Sequence, residues 1–216
     1  AVRDLSSASQ REWLSVNGIG GFACGTIAGV RTRRYHGLLT AAVPPSIRRV
    51  LVLAEIEAWV EKDSHCYPIS AHLYHGAIHP NGIRYLKRFN LHPCPTHLYK
   101  VEDAIIQRQV WLIASCNAVA VRYAVSSGRG KLNLRLIPLF ACRDYHALTH
   151  ANPTLNPQAE ESAPGVYRFL PYPDFPAILL HTGKSHFRPR PDWYYGFRYP
   201  AESERGLDDT EDLWTP

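Results

Sequence analysis

Between Ala104 and Cys142 the apolar residues recur at every second position, a period that admits strands and excludes a helix. Ala104 to Ala114 is a β-type run. Asn117 to Ser126 places Val119, Val121, Tyr123 and Val125 on one face. Lys131 to Phe140 places Leu132, Leu134 and Leu136 on one face and Asn133 and Arg135 on the other. The connector Ser127-Gly128-Arg129-Gly130 has turn chemistry, which predicts a hairpin between these last two strands. Seventeen prolines and fourteen glycines, spread without a fixed period, carry the argument to the rest of the chain. Both residue types interrupt helices and punctuate short strands, so no helix longer than three turns is expected.

Further strands are expected at Tyr35 to Val43 (ended by Pro44-Pro45), at Val50 to Val60, near Val166 to Leu170, and near Ala177 to His181. Within the second of these, Glu55, Glu57 and Arg49 mark one face. Residues 61 to 97, rich in His, Pro, Asn and Gly, read as loops with short strands. The fold class that follows is all-β, a many-stranded antiparallel β-sandwich. Residues 1–200 form that sandwich domain, and the acidic 201–216 reads as a connector leading out of it.

Composition narrows the function classes. A length of 216 residues suits one large β-domain or two small ones. No stretch approaches the roughly 18 apolar residues of a membrane span, and the polar Ala1 to Gln10 is no signal sequence. The five cysteines are odd in number, lie more than 20 residues apart and form no CxxC pair. Reduced thiols and a cytoplasmic location are therefore expected rather than a disulfide scaffold. The formal charge of +5 invites a nucleic-acid reading, but seven of the nineteen carboxylates fall between Asp192 and Asp212 and the basic residues are scattered. No nucleic-acid partner and no membrane partner is expected.

Gly18-Ile19-Gly20-Gly21-Phe22-Ala23 matches a dinucleotide fingerprint in form. That chemistry needs a following helix and an acid about 20 residues on, whereas Gly25 and Gly29 oppose the helix and no Asp or Glu occurs between Glu12 and Glu55. No cofactor is expected. His72, His75 and His79 have the spacing of metal ligands only on a helix, which Gly76, Pro80 and Asn81-Gly82 make unfavourable, so no metal is expected. Asp144 stands alone in a chemically dense setting, and one carboxylate is not an acid/base pair, so no catalytic residue is assigned. Two tetrapeptides echo each other: Arg33-Arg34-Tyr35-His36 and Arg143-Asp144-Tyr145-His146. Guanidinium, phenol and imidazole offer planar donors and stacking faces that suit sugars. The alternative is a structural network in which Asp144 pairs an arginine and the two loops are pinned together. Trp193, in Trp193-Tyr194-Tyr195-Gly196-Phe197, could likewise stack a glucose ring or serve as core or interface.

Glu12-Trp13-Leu14-Ser15-Val16-Asn17-Gly18-Ile19-Gly20-Gly21-Phe22-Ala23-Cys24-Gly25-Thr26 and Thr32-Arg33-Arg34-Tyr35-His36-Gly37-Leu38-Leu39 resemble the N-terminal domain of bacterial and archaeal glycogen-debranching enzymes of the amylo-α-1,6-glucosidase type. Ser15-Val16 and Cys24 are mild departures. The resemblance continues at His79 to Leu86, at Arg143 to His146 and at Glu204 to Leu213. It implies a supersandwich similar to the N-terminal β-domain of bacterial glucoamylases, followed by an (α/α) barrel that carries the hydrolytic carboxylates. It also implies an α-glucan partner and packing against that barrel; with the side-chain chemistry above, Arg33, Arg34, Tyr35, His36, Arg143, Asp144, Tyr145, His146 and Trp193 are the expected substrate contacts. Self-association through the aromatic stretch from Trp193 to Phe197 is a further expectation.

Overall fold

A computed structural model describes residues 4–44, 48–183 and 185–216. Pro45 and the start of the polar lead-in, residues 1–3, lie outside the described residues. A short helix α1 (Leu5–Ser9) has its first amides capped by the Asp4 carboxylate. It leads into β1 (Glu12–Val16), β2 (Phe22–Thr26), β3 (Gly37–Val43) and the long β4 (Arg48–Lys62). Then come β5 (His65–Pro68), β6 (Ala71–Tyr74), β7 (Ala77–Asn81), a single 3₁₀ turn (Gly82–Tyr85), β8 (Leu86–Asn90) and β9 (Thr96–Val101). The alternating region gives β10 (Ala104–Leu112), β11 (Val119–Ser127) and β12 (Leu132–Asp144). The chain continues through β13 (Ala159–Ala163), β14 (Val166–Phe169), β15 (Ile178–His181), β16 (Asp192–Arg198), the one-turn α2 (Pro200–Ser203) and β17 (Thr210–Thr215).

The strands assemble as an all-β antiparallel sandwich. The large sheet runs β1-β2-β3-β4-β12-β17-β16, with β5 attached to β4. A four-stranded sheet, β11-β10-β9-β8, covers it, and β13-β14-β15 and β6-β7 form smaller sheets. Two large apolar clusters fill the interior. One joins Trp13, Val50, Val52 and Phe140 of the large sheet to Val110, Phe169 and Trp214. The other joins Ala58 and Val60 to Tyr99, Val101 and Ile106. A third cluster, Leu51, Ala54, Leu139, Phe197 and Leu213, meets Tyr74 of β6. Because β4 is covered from both sides, its sequence is nearly continuously apolar rather than alternating. Its two acids reach different neighbours: Glu55 bonds Arg108 on β10, and Glu57 bonds His72 on β6.

Two expectations are corrected. First, β11 and β12 do not form a hairpin: β11 pairs with β10, and β12 crosses to the large sheet beside β4. The connector is anchored on the β9–β10 turn, where the Arg129 amide donates to Asp103 at 2.9 Å and the Gly128 backbone lies against Ala104. From there the chain departs so that Leu132 and Leu134 meet the second cluster from the opposite sheet, beside Tyr123 of β11. Second, residues 201–216 are not a connector outside the sandwich. They supply α2 and β17, and Leu213 and Trp214 are buried. Their acidity hides a strand whose buried carboxylate is neutralised by arginines from elsewhere in the chain.

The fingerprint-like glycines lie in the tight β1–β2 turn, and a strand rather than a helix follows them. Asn17 closes the turn: its Oδ1 accepts from the amides of Ile19 (3.1 Å) and Gly21 (2.9 Å), and its Nδ2 donates to the Cys116 carbonyl (2.9 Å). Gly20 has φ +95°, the left-handed region that glycine tolerates. Gly21 is required for a different reason, since a Cβ there would meet Asn17 Nδ2 at 2.5 Å and the Thr40 carbonyl at 2.9 Å. Gly20→Val and Gly21→Val are each expected to lower stability by about 1–3 kcal/mol. Urea or thermal unfolding checks this, and unchanged midpoints for both variants would show that neither glycine is needed.

Candidate functional site

The two echoing tetrapeptides come together in space. Arg33 to His36 form the turn between β2 and β3, and Arg143 to His146 span the end of β12. A bulge at Phe140–Arg143, with Cys142 at φ +50°, re-aims the end of β12 toward that turn. Arg143 is buried and its guanidinium is fully used. It makes a forked pair with Glu211 and donates to the carbonyls of Asp144 (3.1 Å), Tyr145 (3.1 Å) and Arg34 (2.8 Å). The last three bonds tie one tetrapeptide's backbone to the other.

Glu211 is completely buried and is the hub of this network. Besides Arg143, it accepts from the Tyr199 hydroxyl and the Thr149 amide (3.3 Å), and it lies 3.7 Å from Arg31 Nη1. Arg31 donates in turn to Tyr199 Oη at 2.5 Å. A second fully buried carboxylate, Glu202 on α2, receives the Arg34 amide (3.2 Å) and faces Arg34 Nε at 3.3 Å. Arg34 also donates to the carbonyls of His146 (2.8 Å) and Asp208 (3.0 Å). Neither arginine pairs with Asp144. That carboxylate instead accepts the His146 amide at 2.9 Å and shapes its own turn.

His36 is buried, and its Nδ1 accepts the Thr32 amide at 3.1 Å. The proton must therefore sit on Nε2, which faces Glu12 Oε1 at 3.2 Å, off the ideal hydrogen-bond direction. Burial lowers the His36 pKa and keeps the ring neutral. The His36 contact, with that of Arg33, holds the Glu12 carboxyl down at about 2. His36 and Arg143 in this half of the cluster turn their polar atoms to protein, while the Arg33–Glu12 pair stays partly open to solvent.

The remaining half faces outward. Tyr35 Oη and His146 Nδ1 are 3.1 Å apart, and the Tyr35, Tyr145 and His146 rings lie within 6 Å of one another. Phe22 meets the edge of Tyr145, and the Arg49 guanidinium lies 5.9 Å from that ring. Beside this group opens a cleft of about 280 Å³ lined by Arg48, Arg143, Asp144, Tyr172, Asp174 and Phe175, with buried Cys142 behind. Trp193 is not part of this assembly. It sits opposite Trp214 at the far end of the β16–β17 ladder, half-buried against the first apolar cluster. Of its neighbours, Tyr195 is exposed and Phe197 is core, so the aromatic stretch divides between surface and interior.

The three histidines diverge. His72 is buried against Glu57, and His75 contacts Arg198. Among the described residues, no group of three or more His, Cys, Asp or Glu is arranged to hold a metal ion. Likewise, no helix among them is long and apolar enough to cross a membrane. Sequence reasoning missed Glu202, Glu211 and Tyr199, which hold the site from beneath. The available signal was an excess of arginine in the two tetrapeptides, set against a carboxylate-rich C-terminal end.

A family model described as glycogen debranching enzyme N terminal matches residues 11–216. No curated protein and no solved structure matches the chain.

Glu211→Gln would leave two buried guanidinium groups without their shared charge. It is expected to cost about 3–5 kcal/mol in urea unfolding; a loss below 1 kcal/mol would show that the hub is dispensable. Glu12 gives a second expectation. Its folded pKa lies below its ordinary value of 4.5, so its contribution is present above 4.5 and disappears as pH falls toward 2. Glu12→Gln should therefore narrow the difference in unfolding midpoint between neutral and acidic pH. An acid limb identical to wild type would refute this.

Proposed function

The chain belongs to the glycogen debranching enzyme N-terminal family, and from that premise we propose that it is the non-catalytic, substrate-contacting β-domain of such an enzyme. In this reading the whole protein hydrolyses α-1,6 branch points, and the hydrolytic carboxylates belong to an (α/α) barrel against which this domain packs. The sandwich holds an α-glucan chain at the Tyr35–Tyr145–His146 face.

The observation that carries the reading is the division of labour within the cluster. Arg34, His36 and Arg143 are committed to protein partners, and by that commitment they hold a neighbouring set of rings at the surface. Phenol and imidazole faces stack on sugar rings, while their polar edges, with the unoccupied oxygen of Asp144, match hydroxyls. The adjoining cleft adds Arg48, Tyr172 and Asp174 along the same rim. A rival reading, a module that stabilises the barrel without touching sugar, draws on the same commitment of the buried residues. The exposed His146 and the half-buried Tyr35 and Tyr145 rings beside it favour the first.

Affinity electrophoresis in glycogen-containing gels, with titration by maltoheptaose, tests this. Tyr145→Ala and His146→Ala are expected to weaken binding about 3–10-fold, the scale of one lost stacking contact. Wild-type mobility unaffected by glycogen would favour the purely structural module. The chain alone is expected to release no glucose from a branched limit dextrin, because in this reading the acid and base carboxylates belong to the barrel. Release that is abolished by Asp144→Asn would overturn that assignment.

A further inference from the structure

Strand β10 carries a second set of planar polar groups, on the face of the four-stranded sheet that points away from the core. Ile106, Arg108 and Val110 are buried inward, so Gln107, Gln109 and Trp111, at the alternate positions, point outward. In register beside them on β11 stand Ala124, Arg122 and Ala120. Trp111 is half-buried and belongs to none of the three apolar clusters, and the alanine opposite it leaves the ring uncovered on that side. Among the described residues, no side-chain hydrogen bond or ion pair engages Gln107, Trp111 or Arg122, and Gln109 reaches only the Cys94 sulfur, at 4.0 Å.

The arginines of the two tetrapeptides are consumed by protein partners, whereas this row is not. Side chains two apart on a strand are separated by about 7 Å, and opposite neighbours on adjacent strands by about 5 Å. The row from Gln107 to Trp111 therefore runs about 13 Å, with Arg122 beside its middle. That length follows more than one pyranose ring. The chemistry selects the occupant. An indole face stacks on the apolar face of a sugar, amides both donate and accept, and a guanidinium donates in pairs. No carboxylate stands on this face, and amides rather than a run of bases line the row, which suits a neutral polyol and not a polyanion. A protein partner would call for an apolar centre, where this face has Gln109 and Arg122.

We propose that the outer face of β10 and β11 is a second glucan-contacting surface, on which Trp111 stacks a glucose ring while Gln107, Gln109 and Arg122 bond the hydroxyls of the adjoining ones. The ligand class rests on the glucan-contacting reading above, but the surface is a separate one. It lies across the core from the large sheet, whose β2–β3 turn and β12 end carry Tyr35, Tyr145 and His146. Two contacts on one branched polymer hold it better than either alone, because the second forms at a high effective concentration.

Indole N–H signals in nitrogen-15 NMR spectra test the assignment. The Trp111 signal, identified by its loss in Trp111→Phe, is expected to shift saturably as maltoheptaose is added. In glycogen-containing gels, Trp111→Ala is expected to weaken retention about 3–10-fold, and Trp111→Ala/Tyr145→Ala to weaken it more than either change alone. Trp111 lies outside the apolar clusters, so its loss leaves the core intact. Gln107→Ala/Arg122→Ala keeps the ring, removes the polar groups beside it and should weaken retention in the same direction. Retention that falls with Tyr145→Ala but is unchanged in both β10–β11 variants overturns this surface and leaves the first one standing. Retention that responds to Trp111→Ala and not to Tyr145→Ala supports this surface and overturns the first. A wild-type chain with neither retention nor an indole shift overturns both. An unmoved Trp111 signal, with dimers in sedimentation that Trp111→Ala dissolves, assigns the face to a second copy and also overturns the proposal.

Discussion

The buried Glu211 carboxylate is the contact on which the rest of the architecture leans. A carboxylate with no solvent exposure is tolerable only when cations and donors converge on it. Here Arg31, Arg143, the Tyr199 hydroxyl and the Thr149 amide do so. These groups come from the β2–β3 connection, the end of β12, the end of β16 and the loop after β12. β17, which carries Glu211, must therefore lie between β12 and β16, and the last strand of the chain closes a network begun in its first third. Arg143 passes the constraint outward through its bond to the Arg34 carbonyl, so the surface rings inherit their positions from a buried ion pair.

The sandwich supplies the rigidity that such a network needs. β4 is covered by the four-stranded sheet on one flank and by β6 and β16 residues on the other, and three apolar clusters grip it along its length. Turns at the ends of such a scaffold can be held without being buried themselves, which is where binding residues usually sit. The β2–β3 turn and the end of β12 are two such places. The bulge at Cys142 bends the second toward the first.

The buried carboxylates inside this protein follow one rule, which is that each is answered from a different element of the fold. Glu55 is answered by Arg108, Glu57 by His72, Glu202 by Arg34 and Glu211 by Arg143. These pairs cross between elements distant in sequence and so specify which strands lie together. Apolar packing alone constrains this less, since many arrangements of alternating strands bury similar area.

The strands of the alternating region, the tight glycine turn and the kinship of the two tetrapeptides were all legible in the order of residues, because each is a local property. Period-two burial, a tight turn after Asn17 and a repeated Arg-Tyr-His chemistry need no knowledge of distant partners. The pairing of β11 with β10 rather than β12 was not legible, because turn chemistry at Gly128–Gly130 fits a hairpin and a sheet-to-sheet crossing equally well. Nor could composition reveal that Glu202 and Glu211 lie in the core. An acidic tail reads as solvated until arginines more than sixty residues away are known to face it. The sequence by itself determined an all-β chain with a polar–aromatic signature. The tertiary structure alone decided which of those residues are consumed as internal counter-charges and which remain at the surface, since a charge is buried or exposed only through neighbours that folding brings to it.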